Sequence, residues 1–121
     1  MVFNTGAALL DAIVLAVVSK DSGGTYGYRI TQEVRQVIEL SESTLYPVLR
    51  RLQKDELLTT YDMEFGGRNR RYYRITDSGR NKLDWYETEW KDYADKVTGL
   101  FDGKGSPEAA SESGMSGAEG G

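Results

Sequence analysis

Apolar residues recur with a helical period in the first half of the chain, switch to alternation past residue 57, and return to a helical period near the end. Residues 7 to 18, AALLDAIVLAVV, are apolar around most of a helix circumference. A first helix of about residues 6 to 19 is therefore expected to be enclosed by protein, with Thr5 as its cap. The glycines of KDSGGTYG break it. From about residue 26 to 38, Ile30, Val34, Val37 and Ile38 share one side while Arg29, Gln32, Glu33, Arg35 and Gln36 lie elsewhere, which predicts a second, amphipathic helix packed on the first.

The segment SESTLYPVLRRLQKDEL, residues 41 to 57, predicts a third helix. At about 100° per residue, Leu45, Val48, Leu49 and Leu52 fall within an arc of about 100°, while Ser43, Tyr46, Pro47, Arg50 and Lys54 cluster opposite. Pro47 is harmless only in a first turn, so the cap is expected at about Ser43. LLTTYDMEF and RRYYRIT then read as strands, joined by GGRN, whose glycines suit a turn with positive φ. The last element starts near TDSG and runs to about Phe101. Along it Leu83, Tyr86, Trp90, Tyr93, Val97 and Leu100 follow the alternating three and four spacing of a coiled-coil seam. At roughly 24 residues this helix exceeds what one small core needs, so the seam is expected to meet a second copy of the chain.

Composition narrows the function more than the fold. The chain has 121 residues, enough for one domain with a core, and carries a formal charge of −4. Residues 102 to 121 are Gly, Ser, Ala and Glu rich without apolar period, so a disordered acidic tail is expected there. That tail takes most of the net charge, with Asp102, Glu108, Glu112 and Glu119 against Lys104. The absence of Cys and His removes disulfides, thiolate and Ser-His chemistry and the usual zinc sites. No metal, cofactor or enzymatic activity is expected, and a reducing cytoplasm is the default location. The apolar run at residues 7 to 18 contains Asp11, has no basic region before it and is shorter than the roughly 20 residues of a membrane span.

Two helices, an amphipathic helix with a basic outer face and a hairpin with arginines at its turn follow the order of a winged helix-turn-helix. The expected class is mostly α with a β-hairpin: a winged domain over residues 1–76, a C-terminal dimerisation helix over 77–101, and the tail. Ser43, Thr44 and Tyr46 place hydroxyls at the start of the third helix, with Arg50, Arg51 and Lys54 following. Such groups reach base edges and phosphates of double-stranded DNA. Arg68, Arg70, Arg71 and Arg74 follow Gly66 and Gly67, where a glycine turn lets backbone approach the sugar-phosphate surface and guanidinium groups meet phosphate oxygens. The alternative is that these arginines solvate an exposed hairpin and one pairs with Asp62 or Glu64. A winged helix that meets an acidic protein partner is the competing function.

YGYRI, STLYPVLRRLQKDELL and GGRNRRYYRITDSGR, in this order, resemble the signature of the PadR-like transcriptional regulators, over about residues 7 to 101. The resemblance implies a bacterial repressor that binds a roughly palindromic operator as a homodimer through its C-terminal helix, with the first helix helping. It implies recognition-helix contacts at Ser43, Thr44, Tyr46 and Arg50, and a wing of Gly66, Gly67, Arg68, Arg70 and Arg71. Tyr28 would help to position the first two helices. The single C-terminal helix points to the short-tailed branch, and GGRNRR replaces the family's unbroken basic run. Some regulators of this type take small aromatic or drug-like effectors at the dimer interface, where Trp85 and Trp90 of this chain could stack on a planar ligand.

Overall fold

The computed structural model describes residues 6–103. The elements are α1 (Ala7–Ser19), β1 (Thr25–Tyr26), α2 (Gly27–Val34), α3 (Glu42–Lys54), β2 (Leu58–Phe65), β3 (Arg68–Ile75) and α4 (Asp77–Asp102). Helices predominate, and the three strands form one antiparallel sheet in the order β1-β3-β2. This is a winged helix-turn-helix with a long C-terminal helix. The predicted cap Thr5 lies outside the described residues, as does the tail from Lys104 onward. Asp102, placed in the tail by composition, is the last residue of α4. Gly103 follows it with φ 65° and donates its N–H to the carbonyls of Gly99 and Leu100, a left-handed helix stop that glycine adopts at little cost.

Two compact units divide the described chain, one ending at Glu87 and one beginning at Thr88. In the first, the apolar stripes of three helices converge: Val14, Leu15 and Val18 from α1, Ile30 and Val34 from α2, and Leu45, Leu49 and Leu52 from α3. Leu58, Tyr73 and Ile75 close this core from the sheet. Burying each such leucine contributes on the order of 2 kcal/mol, which is why α3 turns its apolar arc inward and leaves its polar arc to solvent. In the second unit, Trp90 lies 6.0 Å from Tyr93 between ring centroids, and Lys96 pairs with Asp92 one turn away.

Three features differ from the sequence expectation. The second helix stops at Val34, not near residue 38, because Val37 and Ile38 both bond back to the Val34 carbonyl in tight turns. Arg35 reinforces that turn by donating from Nε to the Leu40 carbonyl at 2.8 Å. Val37, assigned to the core face, is 70% exposed. The third helix is capped by Ser41, two residues before Ser43 and within the expected margin, so that Pro47 sits inside the helix and not in its first turn. Proline there removes a bond only to the carbonyl of Ser43, and both residues are exposed to water that satisfies it. Strand β1 was not expected at all; its two residues, Thr25 and Tyr26, pair with Tyr73 and Tyr72.

The junction after α3 sets where α4 begins. Leu57 donates to the Leu52 carbonyl and Glu56 to that of Gln53, a Schellman closure with Glu56 at φ 64°. Thr76 then locks α4 onto this corner. Its hydroxyl donates to the Glu56 carbonyl at 2.7 Å and accepts from the Gly79 N–H at 2.9 Å, acting as a helix cap. Gly79 packs so closely on the Leu57 carbonyl that a Cβ would collide with it.

Candidate nucleic-acid interface

Ser41 organises the start of α3. Its Oγ accepts from the Thr44 N–H at 3.3 Å and lies 2.8 Å from the Ser43 hydroxyl and 3.2 Å from that of Thr44. Ser43, Thr44, Arg50 and Lys54 are exposed along the outer face, with Pro47 between them. Tyr46 is half-buried instead. Its ring rests against Gly27, the first residue of α2, where a Cβ would stand 2.6 Å from the phenol oxygen, so only glycine allows this approach. Burial, and then the charge of Glu42, raise the Tyr46 pKa above its ordinary value. The phenol therefore stays a neutral hydrogen-bond donor at physiological pH.

The wing is built around a two-residue turn. Phe65 pairs with Arg68, and Gly66 and Gly67 between them take φ of 60° and 81°, the type I′ geometry that matches strand twist. The loop is thus GG alone, and Arg68 and Asn69, expected in the loop, are strand residues. Arg68 is exposed at the turn. Arg70 is half-buried, with its guanidinium 4.1 Å from the ring centroids of both Tyr26 and Phe65. That double stacking holds a long side chain in one place. Arg71 meets the facing Asp62, Nε to Oδ1 at 3.2 Å, so the ion pair of the alternative reading forms at one arginine. Arg74 lies 5.5 Å from the Tyr61 ring, which itself stacks on Tyr72.

These two elements face one another across a cleft of about 510 Å³. Tyr46 from α3 lines it together with Tyr28, Phe65, Arg68, Arg70 and Arg71. Tyr28 is 57% exposed and accepts from Gln32 through its hydroxyl at 2.9 Å, so it borders the cleft and is not a helix-packing residue. The sequence pattern gives no site role to Tyr26 or Phe65, and the family resemblance gives Tyr28 a packing role instead. For Phe65 the signal is its place beside the glycine turn among aromatic and arginine residues, whereas Tyr26 reaches the site only through the pairing of β1 with β3.

Two predicted residues belong elsewhere. Arg51 points away from the outer face and grips Asp11 of α1 with both terminal nitrogens, at 2.6 and 2.9 Å. It leaves the proposed contact set, since its neighbour Arg50 occupies the outward position about 100° around the helix. Tyr86, predicted in the seam, is buried within the single chain, its hydroxyl 3.5 Å from Asp11. Of the remaining seam residues, Leu83, Tyr93 and Val97 are half-buried, Trp90 is 41% exposed and Leu100 80% exposed. Trp85, just off the seam, has Lys82 Nζ 4.7 Å from its ring centroid. Among the described residues, no helix is long and apolar enough to cross a membrane, and no group of acidic side chains is arranged to hold a metal ion.

Residues 14–85 match the transcriptional regulator PadR-like family. A transcriptional regulator of Mycobacterium tuberculosis is 39% identical over 75 residues, which cover 61% of this chain and 70% of the relative. A crystal structure from Streptococcus mutans is 39% identical, with a TM-score of 0.75 over 86% of this chain and 96% of that one. The Bacillus subtilis PadR structure in complex with operator DNA is 29% identical, with a TM-score of 0.57, over 64% of this chain and 46% of that one.

Proposed function

The chain belongs to the PadR-like family of transcriptional regulators, and from that premise we propose that it is a repressor that binds a palindromic DNA operator as a homodimer. The observation that carries this reading is the cleft lined by Tyr46 of α3 and by Arg68, Arg70 and Arg71 of the wing, beside the exposed Ser43, Thr44 and Arg50 of α3. The solved relative from Bacillus subtilis that holds operator DNA supports it. In this reading Ser43, Thr44, Tyr46 and Arg50 meet base edges and adjoining phosphates in the major groove, and Lys54 meets the backbone. Gly66, Gly67, Arg68, Arg70 and Arg71 form the wing that holds the flanking phosphates. Stacking of Arg70 between Tyr26 and Phe65 lowers the entropy cost of presenting its fork to an anion.

The dimer forms through α4, by way of Leu83, Trp90, Tyr93, Val97 and Leu100, with the first helix helping. An exposed apolar stripe on one helix is a surface that a second copy can cover. A small planar aromatic effector at Trp85 and Trp90 releases the operator, and the protein works in the bacterial cytoplasm. Selection of bound fragments from the source genome tests the core of this proposal. A recovered consensus with two-fold symmetry, together with a dimeric mass in sedimentation at micromolar concentration, is expected. Recovery of no consensus from a folded protein would point to a protein-interaction module instead.

A further inference from the structure

Asp11 is an acid in the middle of an apolar helix, and its carboxylate is the least exposed charge in any ion pair of the described chain, at 8%. Both of its oxygens are used. Arg51 donates from Nη2 to Oδ1 at 2.6 Å and from Nη1 to Oδ2 at 2.9 Å, and the Tyr86 hydroxyl stands 3.5 Å from Oδ2. Three elements therefore meet at one carboxylate: α1 through Asp11, the candidate recognition helix α3 through Arg51, and the first half of α4 through Tyr86. The bidentate fork fixes rotation as well as distance, which a single apolar contact does not. The hydrogen bond to Asp11 raises the Arg51 pKa, and burial followed by the Asp11 charge raises that of Tyr86. Both groups thus keep the protonation states that this geometry needs across the physiological range.

We infer that Asp11 is a positioning residue for DNA recognition: through Arg51 it fixes the rotation of α3, and through Tyr86 it ties that rotation to α4. Arg51 serves orientation and touches no phosphate. This rests on the DNA-binding reading above. Arg50 and Arg51 are adjacent, and about 100° of helix separates them, so the grip on Arg51 decides where Arg50 and Ser43 face. A loose α3 would still carry its positive charge to DNA. What it would lose is the fixed aim on which discrimination between base sequences depends.

The test compares full-length wild type with Asp11→Asn, Arg51→Met, Tyr86→Phe and the Asp11→Asn/Arg51→Met pair, each first shown to melt cooperatively. Two readouts are taken: hydrogen exchange at the amides of residues 42–54, and binding of a genome-selected duplex against random duplex over a range of salt. Asp11→Asn and Arg51→Met are each expected to speed exchange in α3 by about tenfold and to cut the preference for the selected duplex by about tenfold. The pair should do no more than either single change, exchange should rise more across α3 than across β2–β3, and the salt slope should stay at the wild-type value. Tyr86→Phe should give a smaller shift of the same sign, and should one of the other variants not fold, it and the remaining single variant carry the comparison. A salt slope that drops by about one per protomer in Arg51→Met alone would make Arg51 a phosphate contact and overturn the inference. So would unchanged exchange across α3 in every folded variant. If wild type prefers no duplex, the repressor reading fails, and the exchange data still judge whether Asp11 holds α3.

Discussion

Arg51 and Arg71 each meet an aspartate, but the surroundings give the two pairs different work. Asp11 is almost fully enclosed and offers Arg51 both oxygens at 2.6 and 2.9 Å. Asp62 is half exposed, as is Arg71, and the pair makes one contact of 3.2 Å across two strands. A carboxylate in an apolar helix must be satisfied or its desolvation goes uncompensated, so the Arg51 pair joins three helices. A pair in water gains little from itself. Breaking the Arg71 pair exposes two groups already in water, whereas breaking the Arg51 pair strands a buried carboxylate. Arginines that look alike in sequence thus divide into one tied to a buried carboxylate and one held by a single exposed contact.

The helix junction should break first. Gly79→Ala forces a Cβ onto the Leu57 carbonyl and is expected to destabilise by about 3 kcal/mol in chemical denaturation, because backbone on both sides must shift. Asp11→Ala should cost about 2 kcal/mol. That is less than a fully buried pair would lose, since Arg51 is 46% exposed and can rehydrate. Alkaline pH gives a milder probe of the same region. The pKa values of Tyr46, Tyr73 and Tyr86 are raised, chiefly by burial. Above pH of about 10 the unfolded chain releases protons that the folded chain still holds. Stability is therefore complete below that pH and is lost as pH rises through the folded values, and Tyr86→Phe should flatten the fall of the melting temperature. In the hairpin, Asp62→Asn should change stability by less than about 0.5 kcal/mol.

Much of this division was written in the chain. The apolar arc of Leu45, Leu49 and Leu52 marked the inner face of α3, and the two glycines marked the wing turn, because both follow from local period and backbone freedom. Arg51 was misread because the residue that claims it lies 40 positions away, and Asp11 looked like a lone flaw in an apolar run. Tyr86 fitted the seam spacing equally well, yet it is drawn to the same carboxylate. Strand β1 is two residues long, too short to show alternation, and exists because Tyr72 and Tyr73 offer it an edge. Pro47 stands beyond the first turn because an exposed carbonyl tolerates what a buried one would not.

The outward arginines carry the central claim, and the salt dependence of duplex binding tests it most directly. Replacing Arg68, Arg70 and Arg71 together by alanine should cost about 1–2 kcal/mol, chiefly from the lost stacking of Arg70, and leave the domain folded. The log-log salt slope for the selected duplex should fall by about one to three per protomer, with affinity lost at every salt concentration. An unchanged slope and affinity in the folded triple variant would contradict the assignment of this face to DNA.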